Sequence, residues 1–294
     1  MAGKRSSNDN GRTLEYLITE QLTMEPGCSL TQRAKEHQSR DKIIAKTINS
    51  ALNKSFGEAA RISVEWILKE VSADNRKSFV VDRADDGDAG VADLIVTCGT
   101  KKLLLSVKHN HDALGHPRPY SLIESVGYPK TSIELDHRAR MEKVSRRFRS
   151  AVGSVATFSS VPSHKQKLYK ETCEECAKSI VKMAGDRKFV ESLFNFLVSP
   201  GCKKLIVRTD SRTKAIKRIE VYDYTKISLP KRVVTSINVR PRATSLSLEF
   251  DNKWVIDLRI HNASSQISAT GQLSLKFDTQ KGLATPPLSL VTLV

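Results

Sequence analysis

The 294-residue chain has no long hydrophobic run. Its longest apolar stretches, such as Leu103 to Leu105 and Phe194 to Val198, fall far short of the ~18 residues that a membrane-spanning helix needs. The stretch from Met1 to Arg12 carries Lys4 and Arg5 and no apolar segment, so it does not resemble a secretory signal. It is expected to be a frayed, disordered basic tail, and a cytoplasmic location is expected with it. Cysteine is scarce as well. Cys28, Cys98, Cys173, Cys176 and Cys202 are too few and too scattered for a disulfide framework. Cys173 and Cys176 form a Cys-x-x-Cys, yet zinc wants two further ligands, and only His164 and Cys202 are at hand, at loose spacing. Free thiols on a helix are the expected outcome. Internal repeats and low-complexity tracts are also missing.

What is present is a folded chain with a strong excess of positive charge. Hydrophobic residues make up 39%, enough for a real core. The net charge of +16 points to a polyanionic partner, with nucleic acid the commonest, although charge alone separates neither DNA from RNA nor a binder from an enzyme.

Apolar periodicity predicts helices over Thr13 to Thr23, Ser29 to Lys54 and Gly57 to Val71. Asp74 to Lys77 is expected to be a turn, Ser78 to Asp82 a strand, and Arg83 to Gly90 a loop. Its acids, Asp82, Asp85, Asp86 and Asp88, lack the terminal Glu and flanking helices of a calcium loop. Further helices are predicted from Pro119 to Val126, over the basic stretch Ile133 to Val152, and as two pieces between Ser163 and Val198. From Cys202 the pattern turns to β, with strands expected over Lys204 to Arg208, Lys217 to Tyr222, Val233 to Val239, Ser245 to Phe250, Val255 to His261 and Leu273 to Phe277. Trp66 and Trp254 are expected in the core.

The most informative stretch is a predicted hairpin. Asp93 to Cys98 and Lys101 to Lys108 both have strand character, and Gly99-Thr100 suits a two-residue loop. Paired residue numbers then sum to 199, which sets Asp93 opposite Ser106. Period-two alternation adds Lys108 to the same face and leaves Leu94, Val96, Leu103, Leu105 and Val107 on the other. A carboxylate there suits a hard divalent cation such as magnesium, which polarises a phosphate and acidifies a bound water. A neighbouring lysine orients that water and offsets charge developing in the transition state.

An Asp opening one strand, followed across a hairpin by a small polar residue, any residue and Lys, resembles the PD-(D/E)XK nuclease core. Ala92 stands where that pattern has Pro, and Ser106 stands at the second acidic position. The resemblance implies that a Glu from the following helix takes over the acid's role, and Glu124 fits that place. It also implies a Glu from a preceding helix, for which Glu58 and Glu65 are candidates, Glu58 nearer the helix start. The longer Ser-Val-Lys-His-Asn-His-Asp-Ala-Leu at 106–114, with His116-Pro117-Arg118 behind it, is similar to type II restriction endonucleases of the HaeIII kind. So are Arg-Ile-His-Asn-Ala-Ser-Ser at 259–265 and Ser-Leu-Lys-Phe-Asp at 274–278. That family implies magnesium-dependent cutting of double-stranded DNA at GGCC, a homodimer, and a cognate DNA methyltransferase as functional partner.

The expected fold is therefore α/β: a PD-(D/E)XK restriction-endonuclease-like core with a mixed central sheet flanked by helices, and a β-rich C-terminal third. Residues 13–200 are expected to hold the helical region and catalytic core, and 201–294 the β-rich continuation with DNA-recognition elements. His109, Asn110, His111, Arg118, Arg240, Arg242, Arg259 and His261 are the candidate DNA contacts, the first two weighed equally against a strand-exit turn held by its own side chains. His109-Asn110-His111 spells an HNH nuclease, but that site needs its residues on separate parts of a ββα unit. The helix around Asp136 to Ser150, with six Lys or Arg against two acids, either tracks a phosphate backbone or is a solvated face. Two rivals remain: a repair or structure-specific nuclease on the same core, and a basic protein that binds nucleic acid without cutting it.

Overall fold

The computed structural model describes residues 7–71, 78–84, 92–110, 114–234, 238–239 and 244–294. The fold is α/β, with a mixed seven-stranded sheet and a separate four-stranded antiparallel sheet. No helix among the described residues is long and apolar enough to cross a membrane.

The chain forms two compact units that interleave along the sequence. The first takes residues 1–113, 200–227 and 288–294, and the second takes 114–199 and 228–287. The expected division at residue 200 is thereby corrected. It would part Lys101–His109 from Lys203–Thr209, which lie side by side in the same sheet.

In the first unit, α1 (Ser7–Thr23), α2 (Gln32–Ala45) and α3 (Ser50–Glu70) accompany β1 (Cys28–Leu30), β2 (Phe79–Arg83), β3 (Leu94–Cys98), β4 (Lys101–His109), β5 (Lys203–Thr209), β6 (Ile216–Asp223) and β11 (Leu290–Thr292). The sheet order is β1-β2-β3-β4-β5-β6-β11. The pairs β1/β2 and β4/β5 are parallel and the others antiparallel. The hairpin has the register expected of it, with Leu94 opposite Leu105 and Cys98 opposite Lys101. Gly99 takes the positive φ of 57° that its two-residue loop demands. The apolar face predicted for this hairpin is buried. Leu94, Val96, Leu105 and Val107 pack with Leu205, Val207, Ile219 and Val221 against Leu14 and Ile18 of α1 and Phe56 and Ile67 of α3. Each such side chain contributes about 1.5–3 kcal/mol of burial.

Three helix boundaries differ from expectation. Helix α1 begins at Ser7, so residues 7–12, expected to belong to a disordered tail, instead form its first turns. The predicted Ser29 to Lys54 helix breaks at residues 46–49, because Asn49 caps a new helix by accepting from the Ala51 and Leu52 N–H groups. That helix runs unbroken through Gly57. Its predecessor starts later than expected, because Cys28–Leu30 pairs in parallel with Phe79–Val81 and only then does Thr31 cap α2.

The second unit holds α4 (Leu122–Ser125), α5 (Ser132–Val152), α6 (Pro162–Met183) and α7 (Arg187–Val198), with β7 (Asn238–Val239), β8 (Ser245–Glu249), β9 (Val255–Asn262) and β10 (Leu275–Lys281). Thr131 and Asp186 cap α5 and α7. Leu246, Leu248, Ile256, Leu258 and Phe277 fill its sheet core. Of the strand expected over Val233 to Val239, the structure shows a bridge from Val233 to Phe250 and the short β7; residues 235–237 lie outside the described ones. The turn expected at Asp74 to Lys77 and most of the Asp-rich loop, including Asp85, Asp86 and Asp88, also lie outside them.

Candidate active site

Strand alternation turns Ser106 and Lys108 to the face opposite the core, and the hairpin brings Asp93 to them. Three donors converge on one carboxylate oxygen. Asp93 Oδ2 accepts from Ser106 Oγ at 3.0 Å, from the Val107 N–H at 2.7 Å and from Lys108 Nζ at 2.9 Å. The Asp93 side chain is 23% exposed, so a ligand can reach it.

Lys108 is held as an ammonium. Burial works to lower its pKa, but the charge of Asp93 and their hydrogen bond outweigh it and raise the value above the usual lysine range. A lysine so held does not abstract protons at neutral pH; it supplies positive charge and donates hydrogen bonds.

The acid that helix packing brings to this group is Glu15 of α1. Burial first, and the Asp93 charge after it, raise its pKa to about 7 against the downward pull of Arg83 and Lys108. Its Oε2 accepts from Arg83 Nη2 at 2.5 Å. Arg83, 1% exposed, also pairs with the fully buried Asp41 at 2.9 Å. Reading the sequence missed Glu15. It lies in the part of α1 that the sequence predicted as helix, between the core residues Leu14 and Ile18, and nothing local separates it from an ordinary surface acid. Glu58 and Glu65 instead share Arg61 on an exposed stretch of α3.

Lys204 was missed too. It lies beside Ser106 in the parallel β4/β5 register and is fully buried, with Nζ 4.1 Å from the centroid of the Tyr224 ring. Burial above all, with Cys202 and Asp93 opposing it and Lys108 adding to it, lowers its pKa to about 8.

No known protein family, curated protein or solved structure matches the chain.

Among the described residues, no group of three or more His, Cys, Asp or Glu side chains is placed to hold a metal ion. Magnesium takes hard oxygen ligands and is commonly held by one or two carboxylates plus substrate phosphates. Asp93 is such a carboxylate, and Glu15, whose pKa burial raises, lies in its electrostatic field.

The other expected residues are placed as follows. Glu124 belongs to the second unit, where Arg138 Nη2 donates to it at 2.6 Å. His109 packs edge-on against Phe56, and its Nε2 lies 2.8 Å from Thr209 Oγ1. Asn110 takes a φ of 52°, and its Oδ1 accepts from the Thr209 N–H at 2.8 Å. Both side chains thus tie the exit of β4 to the end of β5. Arg118 is exposed just before a short 3-10 turn over Pro119–Ser121. Arg259 is exposed on β9, and His261, opposite Lys276, has a pKa lowered by burial and by that lysine. His111, Arg240 and Arg242 lie outside the described residues. On α5, Arg138, Arg140, Arg146, Arg147 and Arg149 all face acids, which leaves less free charge there than the sequence implies. Cys173 and Cys176 are free buried thiols one turn apart on α6, and burial pushes Cys173 up to about 12.

Proposed function

We propose that this chain is a magnesium-dependent endonuclease that hydrolyses phosphodiester bonds in double-stranded DNA, on a core of the PD-(D/E)XK type. The observation that carries this reading is the convergence of Ser106, the Val107 N–H and Lys108 on one oxygen of Asp93, with Glu15 in electrostatic reach. A structural ion pair on a strand end has no need of a second acid in its field.

Asp93 and Glu15 are the residues that would hold the cation. When bound, the ion supplies Lewis-acid polarisation of the scissile phosphate and a more acidic water. Ser106 and the Val107 N–H fix the Asp93 carboxylate. The Lys108 ammonium binds the phosphate and offsets negative charge growing on it in the transition state. The excess positive charge of the chain draws the polyanion in.

The resemblance to HaeIII-like restriction enzymes adds the finer proposals: cleavage at GGCC, action as a homodimer in the cytoplasm, a role for Glu124 as acid from the following helix, and protection of host DNA by a cognate methyltransferase. The test is incubation of the purified protein with unmethylated phage DNA, with and without magnesium, beside Asp93→Ala and Lys108→Ala. Discrete magnesium-dependent fragments, lost in both variants, are expected. DNA left intact under conditions where the protein binds it would sink the enzymatic reading.

A further inference from the structure

The strand next to the catalytic one ends in a basic turn that the proposed chemistry leaves unused. Strand β4 runs parallel to β5, with Lys108 beside Ile206 and His109 beside Val207. Both strands therefore end on the same side. The β5–β6 turn begins at Asp210, four residues past Ile206, or about 13 Å at the usual strand rise.

Between Arg208 and Arg218 the chain carries five basic residues and one acid. Arg208 and Arg218 stand opposite each other across β5/β6, in line with the face that carries Ser106, Lys108 and Lys204. One buried acid, Glu220, serves both, at 2.7 Å and 3.4 Å, so positive charge remains in excess. The turn itself is rigid. Asp210 Oδ1 accepts from the Arg212 and Thr213 N–H groups at 2.8 and 2.9 Å, and the Asp210 N–H donates to Ala215 O at 2.8 Å. Lys214 sits at a φ of 64°, a conformation that marks a shaped turn and not a frayed one. The Arg212 side chain is exposed and has no ion-pair partner among the described residues.

We propose that this turn, through Arg208, Arg212, Lys214 and Arg218, grips the phosphate backbone of duplex DNA on one side of the bond to be cut. This rests on the nuclease reading for the position of that bond. One DNA strand presents a charge every ~3.4 Å along the axis, so the reach from Lys108 to the turn covers a few phosphates. A rigid, cationic turn holds them without paying for ordering a loop.

The test compares Arg212→Gln/Lys214→Asn with Lys182→Gln/Lys188→Gln, an exposed pair on α6 and α7 that removes the same charge. Asn is chosen at 214 because it tolerates positive φ. All variants carry Asp93→Asn to prevent cleavage, and circular dichroism confirms the fold. Affinity for a DNA duplex is measured by fluorescence anisotropy across a salt series. The turn variant is expected to lower the slope of log K against log salt by about 1.8, from ~0.9 per lost phosphate contact, while the control pair leaves it unchanged. An unchanged slope in the turn variant, an equal fall in the control, or a loss confined to an RNA duplex would overturn the proposal. If the parent protein fails to cut DNA in magnesium, the nuclease reading falls, and the slope still decides whether the turn binds the duplex.

Discussion

Glu15 Oε2 lies 2.5 Å from Arg83 Nη2, which fastens α1 to β2 and sets the helical acid in the electrostatic field of Asp93 and Lys108. Arg83 also holds Asp41, so it is shared by one half-buried and one buried acid from two different helices. Arg83→Met would strand Glu15 and leave Asp41 to Arg12 and Arg40 alone. Breaking a buried pair costs about 3–5 kcal/mol, and a loss of that order is expected in urea unfolding. Glu15→Gln keeps Arg83 paired with Asp41 and should cost far less stability while abolishing magnesium-dependent cleavage. Equal destabilisation by the two variants would refute this division of roles.

Within the hairpin, the three donors to Asp93 are not equivalent. Lys108→Ala removes the only charged one and should reduce cleavage by about 10²–10³-fold, the usual cost of losing one preorganised transition-state donor. Ser106→Ala leaves Lys108 and the Val107 N–H in place. It should cost about tenfold in rate and about 1 kcal/mol in stability. Single-turnover rates on a short duplex check both, and a Ser106→Ala enzyme as impaired as Lys108→Ala would contradict the ranking.

His109 is held neutral. Burial and the charge of Lys214 lower its pKa to about 4. The unfolded chain therefore takes up the proton first. The stability due to neutral His109 is complete above about 6.5 and fades as pH falls toward 4. An NMR titration of the imidazole should find its midpoint near 4, and His109→Gln should flatten the acid side of the stability profile. A midpoint near 6.5 would show an exposed ring free to meet a phosphate.

Lys204 sets stability against function. It is fully buried, and burial lowers its pKa to about 8. Lys204→Met keeps the length of the side chain and removes the cost of burying charge, so thermal stability should rise. Cleavage should fall, because positive charge beside Ser106 is lost. A variant less stable than wild type would mean that contacts of the ammonium outweigh its desolvation.

Sequence alone determined the hairpin, because its signals are local. Period-two alternation, a Gly at the turn and an apolar face from Leu94 to Val107 are enough to set Asp93 opposite Ser106 and Lys108 on the same side. Most helices were legible for the same reason, as apolar stripes with capping residues. Tertiary structure decided the rest. Glu15 and Asp93 are far apart in sequence and come within electrostatic reach only because α1 packs on the sheet. The burial of Lys204 depends on neighbours in β4 and β6, which a strand read by itself does not reveal. The edge strands β1 and β11 exist through pairing with β2 and β6, not through any strong pattern of their own. The interleaving of the two units likewise follows from β5 and β6 completing a sheet begun a hundred residues earlier, since backbone hydrogen bonds, unlike side-chain periodicity, carry no mark in the sequence of the partner they will find.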